Sequence, residues 1–478
     1  MTLLLLPVGL LLPAVIGWLL LRLVEGRTRV VYTGERIVCG TIIGLTLSMH
    51  AMFLLHVYAG IPLVRNGYVL MFGLLLLPLL LLYLLQRKRR MAPVDSLPPL
   101  AQSSRLSFPL RIILGMLAVW TIIKLAAMGS LLVLTPTYFD DSMDNWNMRG
   151  KLFFETHRLE LVLPGDTAVS GISSYPPTVP LAKTWLATLG GTWDEGLINS
   201  IHLVWSLACV ILLYYALRRK MSLLWSLTGA YVLTSLPLFL MQGMNAYADV
   251  FLSVHLFLPL IFMWHAMNAP TRAASLSFLR LAAVCTVLVP VIKNEGLILY
   301  TPALLAVMTG CLTVLFRRRH LSGRDMLSPL LFTFLLLVIV TLPWLLFKWK
   351  NGLAFGNAQS LSGFSVSWHP GTLYAIVINT FFEGNWLLFF PFLIGLLILQ
   401  WKKAFLTPLF VLTFFFLGVY TLQLVLYLFT GLSSEAIMQT GYARGLIHII
   451  PTGVLLGMLL LHDALQKPVE SGKLLTDH

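Results

Sequence analysis

The chain is divided into apolar runs of about 20 residues, the length of a helix that crosses the hydrocarbon core of a bilayer. This pattern limits the fold more than any other feature of the sequence. Hydropathy predicts about thirteen such spans. They lie near residues 3–21, 37–58, 67–85, 110–134, 200–217, 222–241, 247–266, 276–292, 297–316, 329–349, 385–400, 405–429 and 444–463. We therefore expect an all-α polytopic membrane protein.

Composition excludes a soluble domain and argues against a nucleic-acid-binding protein. Hydrophobic residues make up 58% of the chain and charged residues only 11%, whereas soluble domains carry about 25% charged residues. The net charge of +14 comes from short basic clusters that flank apolar spans, at residues 87–90, 218–220 and 317–319. That arrangement is typical of cytoplasmic loops, which are rich in Lys and Arg.

The basic residues also predict the orientation. With the amino terminus outside, 23 of the 33 Lys and Arg residues fall in inside loops, as the positive-inside rule requires. The carboxy terminus is then inside, and the long segment 135–200 lies on the outer face. In a bacterial cytoplasmic (inner) membrane, that face is periplasmic.

We predict three regions. Residues 1–108 form amino-terminal accessory helices and a Pro-containing cytoplasmic linker. Residues 109–317 form the core, including the outer loop 135–200. Residues 318–478 form the carboxy-terminal helices, with a second outer loop at 350–384.

The outer loop 135–200 holds eight of the 19 acidic residues. Apolar side chains recur in it at helical spacing twice, from Met143 to His157 and from Val179 to Leu189. This periodicity predicts two amphipathic helices at the membrane surface. The concentration of carboxylates beside a membrane suggests a reaction centre.

Asp140 and Asp141 directly follow the fourth span, and three interpretations remain open. One carboxylate is a general base held at the bilayer surface. Alternatively, Asp141 and Asp144 cap a helix. The third possibility is a divalent metal site, because hard cations prefer carboxylate oxygens. Since spacing dictates no further ligand, we predict no cofactor and no metal site, although a divalent metal is not excluded.

Two cations follow at helical spacing. Arg149 lies two turns after Asp141 and is close in sequence to Lys151. Such a cation either binds a phosphate, pairs with the aspartate, or belongs to an exposed helix face.

Further charged residues lie at the outer ends of later spans. Lys293 and Glu295 are either functional groups or an ion pair at the interface. Asp249 is either functional or a carboxylate that is favourable at a helix start. Arg444 opens the last span, where its charge is unfavourable to the helix dipole, and this mismatch favours an anionic partner such as phosphate.

Taken in order, these segments resemble the GT-C superfamily of membrane glycosyltransferases, and most closely bacterial relatives of protein mannosyltransferases and lipid A aminoarabinose transferases (family 39-like). The matching segments are Phe139-Asp140-Asp141 before Trp146, Arg149 and Lys151; Ser174-Tyr175-Pro176-Pro177; Tyr247-Ala248-Asp249; Lys293-Asn294-Glu295-Gly296; and Arg444 to Pro451 with His448. Each segment alone is weakly specific, whereas the ordered set is more so.

The resemblance implies a GT-C-type bundle, a polyprenyl-phosphate-linked (undecaprenyl) sugar donor and a periplasmic active site with an aspartate as base. Asp141 is the first choice for the base and Asp140 the second. The residues implied at the donor phosphate are Arg149, Lys151, Lys293 and Arg444, and those implied in the substrate pocket are Trp146, Tyr175, Tyr247, Asp249, Glu295 and His448. The expected acceptor is a lipid-linked or envelope glycan, another glycolipid or lipid A.

Two other functions fit a polytopic chain of this kind. One is a transporter or flippase of a lipid-linked saccharide, which would tend to show repeated halves and broken helices. The other is a non-catalytic scaffold for polysaccharide assembly. Sugar transfer by the reconstituted protein would separate the enzyme from both.

Overall fold

The computed structural model describes residues 4–89, 94, 95, 97, 100, 107–354 and 366–465, which are mostly helical. The helices are α1 (Leu5–Glu25), α2 (Thr33–Ala59), α3 (Arg65–Arg89), α4 (Phe108–Leu134), α5 (Met148–Thr156), α6 (Thr178–Gly190), α7 (Glu195–Asn199), α8 (Ile201–Arg218), α9 (Leu223–Ser235), α10 (Pro237–Met244), α11 (Asp249–Met267), α12 (Arg272–Leu288), α13 (Thr301–Arg317), α14 (Gly323–Lys350), α15 (Thr372–Phe381), α16 (Phe389–Leu399), α17 (Trp401–Leu406), α18 (Phe410–Phe429), α19 (Ser433–Ile437), α20 (Tyr442–Ile447) and α21 (Ile450–Leu465). The strands of the described segments, Thr28–Arg29 and Val94–Asp95, form one short parallel pair.

The prediction of an all-α polytopic membrane protein is confirmed. Within the described residues, ten helical segments are long and apolar enough to cross a bilayer. The pair α9 and α10, which are bent by 69° relative to each other, forms either an eleventh, broken span or a re-entrant loop. The bend lies at Leu236, which is extended, as expected for a residue that precedes a proline. The predicted spans 385–400 and 444–463 correspond to the shorter helices α16 and α21.

The loop 135–200 contains both predicted helices, but the second is buried within the protein. The first consists of a π-helix at Ser142–Asn147 followed by α5. The second is α6, and its residues Thr178 to Ala187 are all buried. Trp185 Nε1 donates to the Gly9 carbonyl at 2.9 Å, and Tyr68 donates to the Leu181 carbonyl at 3.3 Å. The amino-terminal helices α1 and α3 thus cover the helix that we expected at the membrane surface.

Glycines let α1 and α2 approach each other closely. A Cβ atom built on Gly44 would lie 1.8 Å from the Pro13 carbonyl oxygen, and one on Gly17 would lie 1.9 Å from the Gly40 carbonyl oxygen. Small residues permit such backbone contact between membrane helices, where van der Waals packing drives association. The glycines therefore fix the amino-terminal helices that cover α6.

We predict that Gly44→Ala lowers the stability of the purified protein in detergent by about 1–3 kcal/mol, because the added methyl group overpacks the α1–α2 contact. Thermal unfolding would measure the effect. Gly73→Ala on α3 is the matched control, because nothing lies within 4 Å of its added Cβ. Equal unfolding midpoints for Gly44→Ala and the native chain would contradict the close contact.

Candidate functional site

Charged side chains from distant parts of the chain meet at Asp249, the first residue of α11. Its Oδ1 lies 2.9 Å from Lys293 Nζ and 2.9 Å from His448 Nε2, while its Oδ2 lies 3.3 Å from Arg444 Nη2. The Asp249 side chain is only 2% exposed. Three donors therefore surround a carboxylate that is almost completely removed from solvent.

The acidic pair after α4 reaches the same place. Asp141 Oδ2 lies 2.6 Å from Arg444 Nη2, so Arg444 bridges Asp141 and Asp249. Asp141 is still 42% exposed, and only its Oδ2 is bonded by a described residue. This geometry leaves Asp141 Oδ1 open to a ligand.

Asp140 is held differently from its neighbour. Its Oδ1 accepts a hydrogen bond from the Tyr247 hydroxyl at 2.6 Å and another from the Asp141 backbone N–H at 2.7 Å. These hydrogen bonds hold the pKa of Asp140 below its usual value. The Arg444 guanidinium in turn lies over the Tyr247 ring, 4.3 Å from its centroid. Asp140 is therefore the more constrained member of the pair.

Glu295 completes this group, 3.4 Å from Lys293 Nζ. Burial disfavours the charged form of Lys293, but attraction to the Asp249 and Glu295 carboxylates is stronger than this effect of burial. The pKa of Lys293 is therefore raised. Lys293 is thus cationic and pairs with two acids, not with Glu295 alone. We call the following residues the charged cluster: Asp140, Asp141, Tyr247, Asp249, Lys293, Glu295, Arg444 and His448.

Breaks between helices bring the charged cluster together. Asp249 begins α11 after the turn at Ala246, whose φ is +56°. Lys293 follows a 3-10 turn at Val289–Val291 and precedes a π-helix at Gly296–Tyr300. Arg444 lies on the short helix α20. Since all of these breaks lie at one end of the bundle, side chains far apart in sequence become neighbours.

Arg149, Trp146 and Tyr175 form a second group beside the charged cluster. Arg149 is 1% exposed; it donates to the Tyr175 carbonyl at 2.9 Å and to Asn145 Oδ1 at 3.3 Å. Its Nε has no hydrogen-bond partner among the described residues, and burial lowers its pKa to about 9. Trp146 packs edge-on against Tyr175, with ring centroids 5.7 Å apart. Arg149 is therefore a buried cation whose bonded partners are neutral.

Lys151 has a different environment from the other predicted cations. Its side chain is 54% exposed, and its Nζ lies 3.9 Å from Glu155 on the next turn of α5. This geometry is that of an exposed helix face, which was one of the interpretations of the sequence. Lys151 thus does not contribute to the buried charge of the site.

The structure also reveals polar residues that the sequence interpretation overlooked. Lys348, near the end of α14, is fully buried and donates to the Ser174 carbonyl at 2.7 Å and to Asn294 Oδ1 at 2.9 Å. An ionisable residue in a long apolar span is itself a functional signal, so Lys348 could have been identified from the sequence. Tyr300 and Gln423 are likewise buried and connected to His448.

Metal ligation has no obvious arrangement in the described part of the chain. There, no group of three or more His, Cys, Asp or Glu side chains is placed to hold a metal ion. Instead, Lys293 and Arg444 pair with Asp141, Asp249 and Glu295.

An apolar groove begins next to the charged cluster. It has a volume of about 780 Å³ and lies between α13 and α18. Small residues such as Ala306 and Gly310 line one wall, and Phe414 and Gly418 line the other. The ends nearest the charged cluster are Ala303, one turn after Tyr300, and Leu422, which precedes Gln423. The groove is therefore mostly apolar, and its nearer end lies one helical turn from Tyr300, which hydrogen-bonds to His448 of the charged cluster.

Comparisons of this chain with known protein families, with curated proteins and with solved structures found no match.

We predict that Asp249→Asn destabilises the protein by about 3–5 kcal/mol, because it removes the charge that compensates buried Lys293 and partly buried Arg444. Thermal unfolding of the purified variant would measure the loss. Lys151→Ala, which breaks an exposed ion pair, should change stability by less than about 0.5 kcal/mol. Similar unfolding midpoints for the two variants would show that Asp249 does not hold the charged cluster together.

Proposed function

We propose that this chain is an inverting glycosyltransferase of GT-C type in a bacterial inner membrane. It would move a sugar from a polyprenyl-phosphate donor to an acceptor hydroxyl at the periplasmic face. One observation carries the proposal: a cluster of acids and cations is connected through His448 and Tyr300 to one end of an apolar groove between α13 and α18. That combination suits a substrate with a hydrocarbon tail, a phosphate and a polar group to be transferred.

The donor phosphate has hydrogen-bond donors available at two arginines. Arg444 uses only Nη2 for its two carboxylates, and its buried Nε has no partner among the described residues. Arg149 Nε is also buried and unpartnered within that part of the chain. Guanidinium groups bind phosphate well because their planar donors match its oxygens. Together with Lys293, they would stabilise the charge that grows on the leaving phosphate.

In the proposed reaction, Asp141 takes the proton from the acceptor hydroxyl. The acceptor oxygen then forms a bond to the anomeric carbon, while the bond from that carbon to the phosphate oxygen breaks. The bonding electrons leave with the polyprenyl phosphate, and attack opposite the leaving group inverts the anomeric configuration. Asp141 suits the role of base better than Asp140, because its Oδ1 is open and Asp140 is held by Tyr247.

We also propose the topology of thirteen crossings, with the amino terminus outside. Asp249 begins α11, and Arg272 begins α12, which follows the other end of α11. The 19 residues of α11 have a length of about 28 Å at 1.5 Å per residue, close to the bilayer core. The basic residues 218–220 and 317–319 end helices that begin near the charged cluster. In this arrangement, α16 and α21 complete two crossings with their flanking segments.

The acceptor is proposed to be a lipid-linked or envelope glycan, another glycolipid or lipid A. It would approach Asp141 from the exposed side of the charged cluster, where Asp141 Oδ1 is open because Arg444 bonds Oδ2. Since the donor is membrane-bound, holding both substrates at one interface supplies orientation that free solution would not.

A second function is favoured by one observation. The bent pair α9 and α10 resembles the discontinuous helices of transporters, so a flippase of lipid-linked saccharides is the alternative. Proteoliposomes with a radiolabelled polyprenyl-phosphate sugar would distinguish the two. Formation of a labelled acceptor product supports the transferase, whereas movement of the intact donor between leaflets without product supports the flippase.

We predict that Asp141→Asn lowers kcat by at least about 100-fold, because an amide cannot take the acceptor proton. Transfer of radiolabelled sugar by the purified variant would measure the loss, and its unfolding midpoint should stay near the native value. Asp144→Asn is the matched control, since Asp144 is an exposed acid on the π-helix that directly follows Asp141. Near-native turnover of Asp141→Asn would remove Asp141 from the role of base.

We predict that Gly418→Leu raises KM about 10-fold for a long-chain donor, because the side chain would fill the groove wall and remove apolar contact with the tail. The KM for a short-chain donor should change little. Gly395→Leu on α16 is the control, because a Cβ atom at either glycine meets nothing within 4 Å but Gly395 lies outside the groove. An equal effect of the two substitutions would argue against a tail in this groove.

A further inference from the structure

A chain of buried hydrogen bonds connects α18 to Asp249. Gln423 Nε2 lies 2.8 Å from the Tyr300 hydroxyl, which lies 2.7 Å from His448 Nδ1. His448 Nε2 in turn lies 2.9 Å from Asp249 Oδ1. All four side chains are buried or nearly so. None of the first three touches the open oxygen of Asp141, so their effect on a substrate would be indirect.

The hydrogen-bond partners determine which atom donates and which accepts at each step of this series of hydrogen bonds. Gln423 Nε2 also donates to the Gly445 carbonyl at 3.1 Å, and because a carbonyl only accepts, the amide nitrogen must face this side. Tyr300 oxygen then accepts from Gln423, and its own proton is free to go to His448 Nδ1. His448 Nε2 must therefore carry a proton and donate it to Asp249. Each donor has one acceptor when the imidazole is neutral.

The same series of hydrogen bonds also connects both walls of the apolar groove. Tyr300 immediately precedes α13 and Gln423 lies on α18, so their hydrogen bond connects the two helices at the groove end nearest the charged cluster. The residues below this bond, Ala303 and Leu422, are the first groove-lining residues on each helix. A change in the spacing of α13 and α18 would therefore reach Asp249 through His448.

We propose that Gln423, Tyr300 and His448 are positioning residues that fix Asp249 relative to the lipid groove. This inference rests on the proposed transferase activity. Asp249 holds both Lys293 and Arg444, so its orientation sets where these cations meet the donor phosphate. The chain thereby keeps the phosphate-binding groups in register with the groove that holds the tail.

The positioning role of these hydrogen bonds can be tested by measuring the kinetics of sugar transfer from a long-chain polyprenyl-phosphate donor. Tyr300→Phe removes only the hydroxyl and should lower kcat about 10-fold with KM little changed, because the loss falls on transition-state alignment. Tyr427→Phe is the matched control, since Tyr427 is a buried residue of α18 whose hydroxyl bonds no described residue. It should retain near-native kcat. Equal kcat losses in Tyr300→Phe and Tyr427→Phe would overturn the proposal.

A double variant separates one connected chain from independent packing effects. Tyr300→Phe combined with Gln423→Leu should lower kcat no further than Tyr300→Phe alone, because either change breaks the same chain. His448→Gln keeps a donor that can reach Asp249 and should retain more activity than His448→Leu. Multiplicative losses in the double variant, or no advantage of His448→Gln, would contradict the positioning role.

The protonation state of His448 gives a readout that does not need activity. Nitrogen-15 NMR of histidine-labelled protein should show a neutral imidazole with its proton on Nε2, identified by the signal that His448→Gln removes. Tyr300→Phe should shift the Nδ1 resonance. A proton on Nδ1, or no effect of Tyr300→Phe, would overturn the chain even if the native protein transfers sugar. Absence of transfer by the native protein would instead count against the proposed function.

Discussion

The arrangement of this end of the bundle depends on the burial of Asp249. A carboxylate taken out of water costs several kcal/mol unless opposite charge and hydrogen bonds compensate it. Lys293, Arg444 and His448 provide that compensation, and they come from the junction of α12 with α13 and from the segment around α20. The buried charge therefore requires these breaks to meet at the start of α11. Arg444 extends the same requirement to Asp141 and so to the end of α4.

Irregular backbone at this end makes the meeting possible. The π-helices at Ser142–Asn147 and Gly296–Tyr300 flank the acidic pair and Lys293, and π-helical turns occur often at functional sites. Backbone groups that lack helical partners are tolerated at membrane depth only where protein or a polar cavity satisfies them. Here, side chains provide hydrogen bonds to such backbone groups. Lys348 donates to the Ser174 carbonyl, Arg149 to the Tyr175 carbonyl, and Gln423 to the Gly445 carbonyl.

How much the sequence could predict depends on whether a feature is local. Apolar runs and helical periodicity are local, and they gave the all-α membrane fold and both helices of the loop 135–200. Burial is not local: α6 has the pattern of a surface helix but is covered by α1 and α3. Likewise, Arg149 and Lys151 are two residues apart, yet one is buried and the other exposed, because only the first faces Tyr175.

The charged cluster shows the same limit. The sequence places Arg444 at the start of the last span, which predicts an anionic partner. In the structure Arg444 lies within the short helix α20, before α21 begins, and its partners are Asp141 and Asp249. No spacing in the sequence links Gln423 to His448, because their connection runs through Tyr300. A tyrosine at the end of an apolar span is common and gives no sign of such a connection. Hydrogen-bond chains between distant helices depend on packing angles and on rotations of a few side chains. They can be identified only once the helices are placed.

Charge balance adds an argument about where the proposed donor sits. Within the charged cluster, the four carboxylates of Asp140, Asp141, Asp249 and Glu295 outnumber the cations Lys293 and Arg444. A phosphate at the acid pair would therefore meet net repulsion. On the side of Tyr175, by contrast, Arg149 bonds only neutral acceptors. The electrostatics thus favour a phosphate between Arg444 and Arg149 and an acceptor at Asp141.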